Sequence, residues 1–178
     1  MILNLSSRLA AKLKCKPESK SEDAPIPYQE WYGHIFYASK KPYILSIEAN
    51  SIFTAIIEAK GINDPEHYAD SLIIEIKDLG KIYGIPEQVF QVLSSRTDGV
   101  VVRRSSNRSR ISHVNEMIYH SRSYMEERGL TSMEASIMVN EMPIKLKDME
   151  FPIEVFAGRN IERKSALMNR KLALTSYI

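Results

Sequence analysis

The stretch 31-WYGHIFYASKKPYILSIEANSIFTAIIEA-59 decides the fold. It holds three runs rich in aromatic and β-branched residues, 31–38, 43–49 and 52–59, separated only by "SKK" with Pro42 and by "NS". Separators this short leave room for a turn but not for a crossover. The runs are therefore predicted to form consecutive hairpins, an antiparallel three-strand meander. Trp31, Tyr32, Phe36 and Tyr37 cluster in the first run. Such rings can stack on nucleic-acid bases, but packing in a core is their commoner use.

Upstream, "MILNL" reads as a strand, and Ser6 or Ser7 can cap a short helix through "RLAAKLK", with Leu9 and Leu13 one turn apart. Residues 16–27 are polar, contain prolines and read as a loop. Downstream the apolar period lengthens. Asp64 caps a helix with Pro65 at its first position, Leu72, Ile73, Ile76 and Leu79 form its stripe, and Gly84 closes it. Pro86 opens a second short helix, and "GVVV" (99–102) reads as a fourth main strand. Residues 111–128 read as a helix with Val114, Ile118, Tyr124 and Met125 facing inward. Thr131 and Glu134 have capping-box spacing. Residues 143–156 carry two prolines and are predicted to be extended. Residues 159–178 are predicted to form a terminal helix with Ile161, Leu167, Leu172 and Leu174. The expected architecture is one α+β domain over 1–157, a mainly antiparallel sheet with a three-strand meander covered by helices. A C-terminal helical extension, 158–178, follows it.

Composition narrows the classes of function. Hydrophobic residues are 44% of the 178, enough to bury a core. The net charge is only +2, from 24 basic and 22 acidic residues, so attraction for an anion must come from local clustering. Cys15 is the single cysteine, which excludes an internal disulfide and a Cys-based zinc site and suits a cytoplasmic location. No run approaches the ~20 apolar residues of a membrane span, so no membrane partner is expected. The basic N-terminus lacks the apolar block of a secretory signal, and its strand-like start favours structure over a transit peptide.

The local cluster is "RRSSNRSR", 103–110, with four arginines and no acid. It lies between a predicted strand and a predicted helix, where free backbone N–H groups and the helix dipole favour an anion. Arg103, Arg104, Asn107, Arg108, Ser109 and Arg110 are the candidate anion- or nucleic-acid-binding residues, with Ser105, Ser106 and Ser112 as further hydroxyl donors. The competing reading is a solvated loop. There is no glycine-rich phosphate cradle. His113, Glu116 and His120 fall on one helix face and form a weak candidate metal set, unlike the helical zinc signature with its His pair four apart. No cofactor is expected. Cys15 has lysine neighbours but no nearby histidine, and no carboxylate spacing singles out an acid/base pair. A binding module rather than an enzyme is the expectation, with phosphate or nucleic acid as partner. The alternative is a protein-binding or antitoxin-like regulator that uses the C-terminal helix or an exposed meander edge, and a third reading is a metal- or phosphate-dependent enzyme around the 103–120 segment.

Three segments carry a family resemblance. The opening "ILNLSSRLAAKLK" is similar to an Ile-x-Leu-Thr-x-Lys-Leu-Ala start. "WYGHIFYA" is similar to a Trp-His-Ala-Asn-Leu-Phe segment, and "NRSRISHVNE" to Asn-Arg-Ser-Val-Leu-Gly-Ser-Met-Asn-Asp. Together they resemble a domain-of-unknown-function family of small bacterial proteins over roughly residues 1–156. The resemblance implies no activity. It singles out Trp31, Phe36, Asn107, Arg108, Ser109 and Asn115 as motif positions, and lets Arg108 tie the strand-to-helix turn through backbone carbonyls. Tyr32, His34, Arg110, Ser112 and His113 depart from the pattern, and Arg103 and Arg104 fall outside it.

Overall fold

The fold was obtained as a computed structural model, and it describes residues 1–18, 27–94, 99–146 and 148–158. The chain runs β1 (Ile2–Leu5), α1 (Ser7–Lys12), β2 (Glu30–Ala38), β3 (Lys41–Glu48), β4 (Thr54–Glu58), α2 (Pro65–Tyr83) and α3 (Glu87–Ser94). It continues with β5 (Val101–Arg104), α4 (Arg108–Glu127), α5 (Ser132–Asn140), β6 (Ile144–Lys145), β7 (Met149–Glu150) and α6 (Pro152–Ala157). The predicted helix over 159–178 lies outside the described residues. Among those residues no helix is long and apolar enough to cross a membrane.

The five main strands form one sheet in the order β4-β3-β2-β1-β5. The meander is present: β2 pairs antiparallel with β3, and β3 with β4. The α+β class holds, but the sheet is mixed rather than mainly antiparallel. β1 lies parallel to β2 on one side and to β5 on the other. The strand read as the fourth main one is thus a fifth, attached beyond β1. Residues 143–156 are not one extended segment: they make the β6–β7 hairpin and then α6. Pro152 occupies the first turn of α6, where its missing N–H removes no helical bond.

Alternation along the strands gives the sheet two buried faces. Leu3, Leu5, Trp31, Ile35, Ile44 and Ile57 pack with α1, α2, α3 and α6, and Phe53 stacks on Phe156 at 4.1 Å. Tyr32, Phe36, Leu45, Ile47 and Ile56 pack with Val114, Met117, Ile118 and Met125 of α4 and with α5. Core packing is therefore the role of Trp31, Tyr32 and Phe36, while Tyr37 is exposed. Gly33 is required by the first layer. A Cβ there would meet the Tyr68 hydroxyl at 2.5 Å and Leu9 at 2.9 Å. That hydroxyl is itself fixed by Ser46 Oγ at 2.7 Å.

Helix ends follow the sequence signals. Ser6 caps α1 and Asp64 caps α2, Gly84 takes φ 64° at the end of α2, and Thr131 and Glu134 close a reciprocal capping box on α5. In the β2–β3 turn Ser39 and Lys40 have φ of 46° and 66°, the left-handed pair of a two-residue hairpin. Glu126 of α4 accepts from Ser39 N at 2.9 Å and holds that turn.

Both sheet edges are covered. Glu18 bridges β5 through its backbone, its N–H donating to Val102 O at 2.9 Å and its carbonyl accepting from Arg104 N at 3.2 Å. On β4, Asn140 Oδ1 accepts from Thr54 N at 2.7 Å while Asn140 Nδ2 donates to Thr54 O at 2.8 Å. Ser136 Oγ accepts from Ile56 N at 3.1 Å. Four helical residues rise about 6 Å and two strand residues advance about 6.6 Å, so side chains four apart on α5 serve strand residues two apart.

Asn140→Leu strands both backbone groups of Thr54 in a dry edge. It is expected to cost about 2–4 kcal/mol of unfolding free energy in urea melts. A cost below about 0.5 kcal/mol would mean that packing alone holds the edge. Glu75 of α2 has a buried Oε1 without a partner, and burial, then Asp78, pushes its pKa up to about 7. The folded state therefore holds this proton to higher pH than the unfolded chain. The resulting loss of stability grows from about pH 4.5 to 7 and persists above. Glu75→Gln is expected to change little at pH 5 and to add about 1–2 kcal/mol at pH 8. An equal gain at both pH values would reject this origin.

Candidate functional site

The segment 103–110 does not stay together. Arg103 and Arg104 end β5, and successive strand residues point to opposite faces. Arg103 lies in register with Asn4 on the α4 side, while Arg104 lines a hollow with Ser7, Ala10, Cys15 and Lys16 beside α1. The helix begins three residues earlier than the sequence suggested, at Arg108, so Arg108, Ser109 and Arg110 form its first turn. Asn107 is the N-cap. Its Oδ1 accepts from Arg110 N at 3.2 Å, so this side chain holds the strand-to-helix turn, and Arg108 is exposed.

The first turns of α4 are flanked by two hollows. One flank, with Ser109, Arg110 and His113, faces the β6–β7 hairpin across a groove of about 510 Å³ that is also lined by Asn50, Lys145 and Glu150. The other flank, with Ile111, Val114 and Asn115, closes a crevice of about 260 Å³ against Ser6, Tyr32, His34 and Ser105.

Beneath the helix lies a buried polar cluster. Glu30 Oε1 accepts from Asn4 Nδ2 at 2.8 Å and from the Tyr32 hydroxyl at 3.2 Å. The Tyr32 pKa is pushed up to about 12, first by burial and then by the charge and hydrogen bond of Glu30, against the opposing pull of Arg110 and Arg103. Those two arginines, from α4 and β5, therefore both act on one point of the sheet. His34 is pushed down by burial and by Arg8, so its imidazole is neutral at pH 7.

The remaining candidates separate. His113 Nδ1 is 3.6 Å from Glu116 Oε2, too long for a hydrogen bond, and is sealed from solvent. His120 packs its ring edge against Tyr119. Among the described residues no group of three His, Cys, Asp or Glu side chains is placed to hold a metal ion. Burial raises the Cys15 pKa, and its Sγ lies 3.7 Å from Ala10 O, an arrangement that keeps the thiol protonated. Of the motif positions, Trp31 and Phe36 are core, Asn107 is the cap, Ser109 lines the groove and Asn115 lines the crevice.

Sequence reasoning missed His34, Asn50 and Lys145 as site residues. A histidine within an apolar strand was the available signal for His34. Asn50 and Lys145 carry none, because only the tertiary fold brings a turn and a hairpin to α4.

A family model described as a domain of unknown function, DUF6933, matches residues 2–155, and the chain belongs to that family. No curated protein matches the chain.

Tyr32→Phe removes one of the donors to the Glu30 carboxylate. It is expected to cost about 1–3 kcal/mol in urea melts at pH 7. Wild-type stability in this variant would show that Glu30 does not need the hydroxyl.

Proposed function

We propose that this protein is a binding module for a compact, phosphate-like anion, held in the groove between the first turn of α4 and the β6–β7 hairpin. The observation that carries the reading is the convergence of Arg110 and Lys145, from two separate elements, on one groove that also holds Ser109, His113 and Asn50. A guanidinium fork, an ammonium and a hydroxyl are donors matched to the oxygens of a tetrahedral anion. Carboxamide and imidazole groups at the same groove add further polar contacts. Glu150, on the same hairpin wall as Lys145, disfavours a polyanion and suits a ligand that also carries a hydroxyl or an amine.

A small anion is favoured over a nucleic-acid backbone. A backbone is tracked by a stripe of cations, and here Arg104 and Arg110 line separate hollows. The protein-partner alternative uses either the predicted helix over 159–178, which lies outside the described residues, or a meander edge, and the β4 edge is occupied by Asn140 and Ser136 of α5.

Titration of the ¹⁵N-labelled chain with inorganic phosphate tests the reading. Saturable shifts are expected at the amides of Ser109, Arg110 and Lys145, weakening as salt rises. Arg110→Met and Lys145→Met are each expected to weaken binding by about tenfold. Unchanged affinity in both variants, or no saturable shift at these amides, would sink the proposal. Tighter binding of single-stranded nucleic acid at Arg103 and Arg104 than of phosphate at Arg110 would turn it towards a polymer.

A further inference from the structure

We propose that the crevice at the carboxyl ends of β1 and β5 is a second ligand site, and that it binds a small organic carboxylate with an apolar body. It is independent of the phosphate-like site, because the two hollows lie on opposite flanks of α4.

The topology opens this crevice. β1 and β5 are adjacent and parallel, and they end level, with Leu5 paired to Arg104. After β1 the chain turns into α1 on one face of the sheet; after β5 it turns into α4 on the other. Two neighbouring parallel strands whose connections leave to opposite faces must leave a gap beyond their ends. In open sheets with parallel strands that gap is where ligands bind. Its edges are fixed by backbone bonds, Ser6 N to Gly33 O at 3.1 Å and Ser105 N to Leu5 O at 3.0 Å. The hollow is thus bounded by the strand ends on one side and by α4 on the other.

The lining sets the chemistry. Ile111 and Val114 supply an apolar wall, and no lining residue is acidic. Ser7, His34, Ser105 and Asn115 can all donate hydrogen bonds. On α4, Arg108 precedes Ile111 by three positions and Asn115 by seven, the spacing of one helix face, and its side chain is exposed. The charge of Arg8 on α1 also acts on His34. Donors without an acid in the lining, an apolar wall, and arginines carried on α1 and on the same face of α4 fit a monoanion whose body is hydrocarbon. About 260 Å³ is below the usual volume for a drug-sized ligand and suits a monocyclic or branched-chain acid.

Benzoate, benzamide and benzylamine share one ring and differ in charge, which makes them suitable probes for the ¹⁵N-labelled full chain at pH 7. Benzoate is expected to shift the amides of Gly33, Ser105 and Asn115 saturably, with benzamide at least about tenfold weaker and benzylamine silent. Equal affinity for benzamide would overturn the carboxylate assignment, and no saturable shift at these amides with any probe would overturn the site. Asn115→Leu and Ser105→Val, both at solvent-accessible positions, are expected to weaken benzoate at least about threefold while leaving phosphate shifts at Ser109 and Lys145 unchanged. Wild-type benzoate affinity in both variants would also refute the site. Failure of the phosphate titration alone would leave this inference standing, because the two ligands are read at different amides.

Discussion

The first strand of the chain sits inside the sheet, and most of the architecture follows from that constraint. β1 has only four residues, yet both of its edges are paired and both of its faces are covered. Its neighbours run parallel to it, so neither can be reached by a tight turn. α1 and the segment after it form the crossover to β2, and everything from the meander to α3 intervenes before β5. The two hollows beside α4 exist because β5 then sends the chain to the opposite layer.

A sheet buried on both faces and masked on both edges leaves few places for polar groups, and the buried ones are bonded with economy. Glu48 is almost fully buried, and its carboxylate accepts from the backbone N–H groups of Tyr28, Asn50 and Ser51 and from the Ser51 hydroxyl. One side chain thereby ties the entrance of β2 to the β3–β4 turn. Glu30 does related work on the other face with Asn4 and Tyr32. Buried carboxylates of this kind are tolerated because their acceptor capacity is used. Glu75, with an unpartnered oxygen, is the contrast, and its raised pKa is the physical sign of it.

What could be read from the sequence was whatever is decided within about twenty residues. The meander was legible because "SKK" and "NS" admit only turns. α2 was legible because Asp64, Pro65 and Gly84 each perform a local task at its ends. The parallel pairing of "ILNL" was not, since nothing in four apolar residues names a partner a hundred positions away. Two prolines made 143–156 look extended, although Pro152 stands at the one helical position that accepts proline. The arginines of 103–110 drew attention from Asn107, whose capping role was readable and would have moved the start of α4 to Arg108. The grouping of Arg110 with Lys145 and Asn50 depends on the hairpin docking beside α4, and no local pattern encodes it.

The interior position of β1 also bears on how the chain reaches its native state. β1 cannot complete its pairing until β5, about a hundred residues later in the chain, has been synthesised and brought to it. Contacts of such long sequence separation slow folding. During that interval the outer edge of β1 is unpaired, and an open strand edge is the kind of surface that recruits other chains. The native protein hides its edges well; the risk belongs to the nascent one. Synthesis rate and chaperone supply, more than the stability of the finished fold, should govern how much of this protein a cell or an expression host obtains in native form.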